Sequence, residues 1–179
     1  MAKTATLLLV VALFATGLAR PSAGEMIVLD SEARTALAAL PSLHGARLEP
    51  AVLKDHIVVV AFFASWCPPC RPEFEHLRHL DQVYRERGVT IVAVNIFEQY
   101  LKDPAGARLA RFLAAFAGGL PVVGGGEAVA PRFGSVDRIP TVFVFDRAGR
   151  SVMHFMHQQG ATKTHATYEE LAAAVEAAL

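Results

Sequence analysis

The sequence predicts an α/β fold in which a central mixed β-sheet is flanked by helices. Residues 57–63 form an unbroken apolar, β-branched run, which is typical of a strand buried on both faces at the centre of a sheet. A helix with apolar positions at helical spacing is predicted over 68–87, and a second apolar strand over 89–96. Residues 141–145 and 151–156, joined by a turn, predict an antiparallel hairpin. A βαβ unit therefore precedes a ββα unit, and this order requires a mixed sheet.

The segments outside this framework predict shorter elements. A short helix capped by Ser31 is expected over 31–40, followed by an irregular lead-in over 41–50. Residues 120–123 predict a short edge segment. The C-terminal helix begins at 167–170, where a threonine and a glutamate three residues apart form the pattern of a capping box.

The first 24 residues differ in character from the rest of the chain. Lys3 is followed by an uncharged apolar run over 5–18, and then by small residues and Pro21. That order is typical of a signal peptide, and the run is shorter than the roughly 20 residues that a membrane span needs. The alternative is an uncleaved membrane anchor. Either one places the domain of residues 25–179 in the periplasm or another extracytoplasmic compartment.

Charge and composition exclude several classes of protein. Lys plus Arg number 17 and Asp plus Glu number 17, so the formal net charge is zero, and no basic stripe indicates a nucleic-acid partner. The apolar fraction of 53% is enough to build a core. Because the only two cysteines lie three positions apart, the core must hold the domain together without a disulfide framework. We expect a monomer.

The pair Cys67 and Cys70, in the order Trp-Cys-Pro-Pro-Cys, has three conceivable uses: half of a zinc site, a structural staple or an exchangeable dithiol. Zinc needs about four ligands, and no second cysteine pair is present. A staple across so few residues would restrict little of the unfolded chain. The dithiol fits the position of the motif, which follows a buried strand and opens a helix. We expect no metal, and no cofactor other than the redox-active disulfide itself.

The start of a helix assigns different roles to the two cysteines. Unpaired N–H groups and the positive end of the helix dipole stabilise a thiolate there, so Cys67 is expected to attack and to form the mixed disulfide. Cys70, one turn further on, is expected to resolve it. Pro68 and Pro69 suit a helix start and offer no positive charge, which predicts a less oxidising pair than one flanked by histidine.

Residues 62–73 resemble the active-site segment of the TlpA/ResA/DsbE-like branch of the thioredoxin superfamily. The sequence Ile139-Pro140-Thr141 before a strand resembles the cis-proline loop of that family, and the turn over 146–150 resembles its following hairpin. The resemblance covers roughly residue 40 to the C-terminus. It implies a thioredoxin-like fold with an N-terminal extension, and thiol–disulfide oxidoreductase activity.

The resemblance also implies which residues bind a substrate. Pro140, if its peptide bond is cis, would face the disulfide, and the backbone of Ile139 would pair with an extended substrate segment. Trp66 would shield one side of the sulfur atoms. Three further residues belong to the implied substrate-binding set, namely Pro68, Pro69 and Thr141.

Glu73 matches the acid that this branch carries just after its second cysteine. One helical turn from Cys70, it is placed to relay a proton to or from that thiol. Many thioredoxins instead keep a buried aspartate on the preceding strand, where this chain has Ala61. The alternative is that Glu73 is an ordinary solvated helix acid.

We therefore expect a reductant that acts on cysteine-containing exported proteins, such as apocytochromes in cytochrome c maturation or copper-site proteins. Since two cysteines provide no internal relay, a membrane thiol-transfer protein is expected to recycle it. The alternatives are an oxidant or isomerase of the same fold, and a metal or copper chaperone that uses the two cysteines as ligands. The pairs His76/His79 and His154/His157 are not expected to bind metal, because the first is predicted to be solvated and the second to point to opposite faces.

Overall fold

The computed structural model describes residues 27–103 and 106–179, so the expected signal peptide or anchor lies outside the described residues. The sheet has six strands: β1 Ser42–His44, β2 Ile57–Phe63, β3 Val89–Asn95, β4 Val122–Val123, β5 Thr141–Phe145 and β6 Ser151–Met156. The α-helices are α1 Ser31–Ala38, α2 Cys70–Tyr84, α3 Ala107–Phe112 and α4 Tyr168–Ala178. In the described part of the chain, no helix combines the length and the apolar character that crossing a membrane requires.

The strand order β1-β4-β3-β2-β5-β6 is that of a mixed sheet, as predicted. β2 runs parallel to β3 and antiparallel to β5, and β5 and β6 form the predicted hairpin. All seven residues of β2 are buried, because strands cover it on both sides and helices cover both faces. The carboxyl end of this central strand carries the cysteine motif.

Aromatic packing fixes α2 against the end of β2. Successive residues of a strand point to opposite faces, so Phe62 and Phe63 enter different halves of the core. Phe62 packs edge-on against Phe133 with ring centroids 5.2 Å apart. Phe63 contacts Phe74 of α2 at 4.7 Å and Phe112 of α3 at 5.2 Å. The start of α2 is thereby held beside the point where β2 ends.

Two predictions at the far side of the sheet are wrong. Residues 42–44 form the outer strand β1 within the supposed irregular lead-in, and they pair antiparallel with β4. The segment expected at the edge therefore lies inside the sheet, between β1 and β3. A three-residue strand with two exposed residues has no apolar periodicity from which it could be recognised.

The helix caps follow the expected chemistry, with one shift in position. The cap of α1 is Asp30 and not Ser31, since the Asp30 carboxylate accepts a hydrogen bond of 2.8 Å from the N–H of Ala33. The capping box at the start of α4 is confirmed. The N–H of Thr167 donates to Glu170 Oε2 at 3.0 Å, and the N–H of Glu170 donates to Thr167 Oγ1 at 3.4 Å.

Candidate active site

Cys67 and Cys70 form a disulfide at the junction of β2 and α2, with their Cα atoms 5.4 Å apart. The N–H of Cys67 donates to the carbonyl of Ala64 at 3.1 Å, which turns the chain directly after the strand. Cys70 is fully buried, whereas Cys67 keeps 2% of its surface exposed and lines a groove. An incoming thiol or disulfide therefore reaches the sulfur of Cys67 first.

The helix begins later than the sequence predicted, at Cys70 and not at Pro68. The N–H groups of Cys70 and Arg71 donate to the carbonyls of Cys67 and Pro68, at 3.3 and 3.2 Å. Those two donors are thus partly satisfied by the preceding turn, and proline has no N–H to offer. The sulfur of Cys67 still lies at the positive end of the α2 dipole, because it is bonded to the first residue of that helix.

Glu73 lies in the core, with 1% of its surface exposed, and not on the solvated face of α2. It is three residues from Cys70, so the two buried side chains lie on the same side of the helix. Burial raises the pKa of Glu73 from 4.5 to about 8, and the hydrogen bond that the N–H of Ala166 donates to Oε2 at 3.2 Å opposes this rise. In this disulfide form Glu73 therefore holds a proton in most molecules at neutral pH, next to the buried cysteine.

Glu98, which the sequence analysis missed, fixes the turn that precedes the cysteines. Its carboxylate accepts from the backbone N–H of Ser65, from Ser65 Oγ at 2.8 Å and from Asn95 Nδ2 at 2.8 Å. The carboxylate thus joins the end of β3 to the residue two positions before Cys67. No local pattern marks this role, because Ser65 and Glu98 are 33 residues apart in the sequence.

Trp66 is held in place by its own hydrogen bond and by neighbouring aromatic rings. Its Nε1 donates to the carbonyl of Phe97 at 2.9 Å. The ring of Tyr100 lies 6.3 Å from that of Trp66 and stacks on Phe97 at 5.2 Å. Phe97 adopts a left-handed backbone with φ 64°, and its N–H donates to Glu127 Oε1 at 2.9 Å. These contacts build an aromatic shelf beside Cys67.

The opposite wall of the groove comes from the loop before β5. The Ile139–Pro140 peptide bond is cis, and Ile139 lines the same groove as Cys67. The groove has a volume of about 510 Å³ and also contacts Pro68 and Pro69. Among the described residues, the backbone N–H and carbonyl of Ile139 have no backbone partner, so both are free to pair with an extended segment.

Thr141 and His157 support this loop from behind. Thr141 is fully buried, and its hydroxyl donates to the carbonyl of Arg138 at 2.8 Å. The N–H of His157 donates to the carbonyl of Pro140 at 3.0 Å. Thr141 therefore acts on the shape of the loop and does not line the groove, whereas His157 does both.

Three of the four histidines singled out from the sequence take part in ring packing. His76, which was expected to be solvated, is half-buried, and its ring lies 5.5 Å from that of His165. His79 stacks on Tyr168 at 4.2 Å, and His154 on a buried phenylalanine of β5 at 4.2 Å. Within residues 27–103 and 106–179, no group of three or more His, Cys, Asp or Glu side chains has a geometry that would hold a metal ion.

Comparison with known proteins gives a consistent family. The Redoxin family model matches residues 29–171. The thiol-disulfide oxidoreductase ResA of Bacillus subtilis is 29% identical over 113 residues, which cover 63% of this chain and 60% of that protein. ResA of Halalkalibacterium halodurans is 30% identical over 125 residues, covering 69% of this chain and 66% of that protein. The matches thus span about two thirds or less of the length of these relatives.

A solved structure of similar architecture extends the comparison. The DsbE-type thiol:disulfide interchange protein from Chlorobium tepidum is 26% identical with a TM-score of 0.59, and the match covers 78% of this chain and 90% of that chain. The fold and the family model agree. The chain therefore belongs to the Redoxin family, with a ResA- and DsbE-like thioredoxin fold.

Proposed function

We propose that this protein is a thiol–disulfide oxidoreductase that works outside the cytoplasm and reduces disulfides in exported proteins. One observation carries the proposal: Cys67, at the rim of a groove, is bonded to the fully buried Cys70, and a buried carboxyl lies one helical turn further on. This arrangement supplies a nucleophile, a resolving thiol and a proton carrier in sequence.

The reaction begins with the dithiol form. The Cys67 thiolate attacks one sulfur of the substrate disulfide, and a mixed disulfide forms while the first substrate thiolate leaves and takes a proton. Cys70 then passes its proton to Glu73 and attacks the sulfur of Cys67, which closes the Cys67–Cys70 disulfide and releases the second substrate thiolate, and this thiolate takes a proton from water. Two electrons pass from the protein to the substrate.

Glu73 handles the proton of Cys70 in this scheme. Since Cys70 is buried, water does not reach it directly, and an internal base is needed when the thiol becomes a nucleophile. Because burial raises the pKa of Glu73 to about 8, the ionised carboxylate is the minor form at neutral pH, and it is this form that accepts the proton of Cys70. Burial then favours the neutral carboxyl that results. When a recycling thiol later attacks Cys67, Cys70 leaves as a thiolate and recovers the proton from Glu73.

The groove supports a peptide as the substrate. An extended segment would add to the backbone of Ile139, with Pro140 keeping that backbone turned toward the disulfide. Pro68 and Pro69 would contact the segment next to its cysteine, and Trp66 would limit water around the sulfur atoms. Pairing with Ile139 involves only the backbone of the segment, so many exported proteins with cysteines are suitable substrates.

The direction proposed is reduction. Because the chain has no further cysteine for an internal relay, the proposed electron donor is a membrane thiol-transfer protein. Pro68 and Pro69 place no positive charge beside Cys67 to stabilise its thiolate. Apocytochromes and copper-site proteins are the proposed substrate classes. A reduction potential close to the roughly −120 mV of a strong oxidant would contradict this direction.

The chemistry is tested with the two single cysteine variants, each of which is the control of the other. Reduced wild-type protein should reduce insulin disulfides, and both variants should lose turnover. Cys70→Ser should accumulate mixed disulfides with exported proteins, identified by mass spectrometry, whereas Cys67→Ser should accumulate none. Trapping that persists in Cys67→Ser would overturn the assignment of the nucleophile.

A further inference from the structure

A second cavity, with a volume of about 540 Å³, adjoins the active-site groove. We call it the arginine pocket, because its cationic lining consists of Arg71 from α2 and of Arg108 and Arg111 from α3. Its floor is apolar and includes Phe112. Among the described residues, the lining contains no Asp or Glu, whereas that of the active-site groove combines Asp137 with Arg138.

The guanidinium groups of these arginines have no carboxylate partners in the described part of the chain, although the backbone N–H of Arg108 donates to Asp103 Oδ2 at 2.6 Å. Seven ion pairs with N–O distances of 4.0 Å or less occur there, and none of them includes Arg71, Arg108 or Arg111. Nη1 of Arg108 is also buried and has no hydrogen-bond partner among these residues. A buried guanidinium N–H without an acceptor is unfavourable, and an oxygen ligand entering the pocket would satisfy it.

Trp66 lines both the arginine pocket and the active-site groove, so the two cavities meet at this residue. Arg71 directly follows Cys70, so the pocket begins within one residue of the redox pair. A polypeptide whose cysteine is bonded to Cys67 can therefore place a side chain from a neighbouring position in the pocket.

We propose that the arginine pocket is a subsite that binds a carboxylate side chain close to the reactive cysteine of the substrate polypeptide. Guanidinium groups bind carboxylates through two parallel hydrogen bonds, and the apolar floor accepts the methylene stem of an aspartate or a glutamate. The pocket would thus add side-chain selection to a site that otherwise contacts the substrate backbone. This inference rests on the proposed oxidoreductase function.

The test compares three peptides that differ only in the residues flanking a cysteine, which are Glu, Gln or Lys, each supplied as a disulfide-linked dimer. The reduced full chain is mixed with each peptide, and the rate of Cys67–Cys70 disulfide formation is followed by thiol alkylation and mass spectrometry. The variant is the double substitution Arg108→Gln with Arg111→Gln. The control is Arg47→Gln, which removes an exposed charge near the start of β3, at the opposite end of the sheet.

We expect wild-type protein and Arg47→Gln to react with the Glu peptide about three- to tenfold faster than with the Gln peptide, and more slowly with the Lys peptide. The preference should shrink as salt is added and should disappear in the double variant, whereas Arg47→Gln should keep the wild-type rates with all three peptides. Equal rates with all three peptides in the wild type, or an undiminished preference in the double variant, would overturn the inference. Failure of the wild type to react with any peptide would instead contradict the proposed function.

Discussion

Replacing Glu73 with glutamine is expected to remove a pH dependence of stability that arises from one buried carboxyl. Burial raises the pKa of Glu73 from 4.5 to about 8 in the folded protein. Between these values the folded state holds a proton that the unfolded state has released, so the free energy of unfolding of the wild type falls as the pH rises. Since one pKa unit is worth about 1.4 kcal/mol, the whole effect amounts to about 5 kcal/mol.

Urea unfolding of the oxidised protein measures this effect directly. Glutamine has nearly the volume of glutamate and remains neutral at all these pH values. The free energy of unfolding of Glu73→Gln, measured relative to that of the wild type, should therefore rise by about 4 kcal/mol from about pH 5 to about pH 9. Glu75→Gln is the matched control, because Glu75 is exposed on the same helix, and its curve should follow that of the wild type. Parallel curves for the wild type and Glu73→Gln over this range would refute the assignment of the proton to Glu73.

Four further outcomes are expected. Glu73→Gln should slow disulfide reduction by about 100-fold or more, because an amide does not relay the proton of the buried thiol, and an unchanged single-turnover rate would contradict the mechanism. Glu98→Ala leaves the N–H and hydroxyl of Ser65 without their acceptor and should lower the free energy of unfolding by about 1–3 kcal/mol in denaturant titration. Phe133→Ala empties a fully buried site between the aromatic rings of the core, and calorimetry should show a decrease of about 3–5 kcal/mol in the free energy of unfolding. Gly149→Ala should lower the free energy of unfolding by more than about 1 kcal/mol, because φ is +83° and the added Cβ would lie 2.4 Å from a backbone oxygen. A loss of less than a few tenths of a kcal/mol in denaturant titration would show that the turn relaxes.

The main elements of the sheet could be predicted because their signals are local. Residues 57–63 are buried on both sides, so every one of them is apolar, and a run of that kind is visible without knowledge of its neighbours. Strands β5 and β6 carry a turn between them that sets their pairing. β1, by contrast, consists of three residues whose strand character comes only from pairing with β4. A sequence window of that length carries no period to read.

The start of α2 illustrates how a local rule can be off by two residues. Proline is favoured in the first turn of a helix, so two prolines between the cysteines predict a helix from Pro68. In the structure the turn from Cys67 to Arg71 closes through shorter hydrogen-bonded loops, and the regular helix begins only at Cys70. The consequence for the chemistry is that fewer free N–H groups surround the sulfur of Cys67 than the sequence suggested.

The sequence by itself determined the central strand and the cysteine pair Cys67 and Cys70 that follows it, because adjacent residues and fixed spacings specify them. The loop containing Pro140 was expected from the resemblance of Ile139-Pro140-Thr141 to a family loop. Only the tertiary structure decided whether Glu73 is solvated or buried. The segment around Ala166, 93 residues further along the chain, shields Glu73 from solvent, and that contact forms only when α4 packs beside α2. The pKa of a carboxyl depends on the groups and the water around it, which the order of neighbouring residues does not specify.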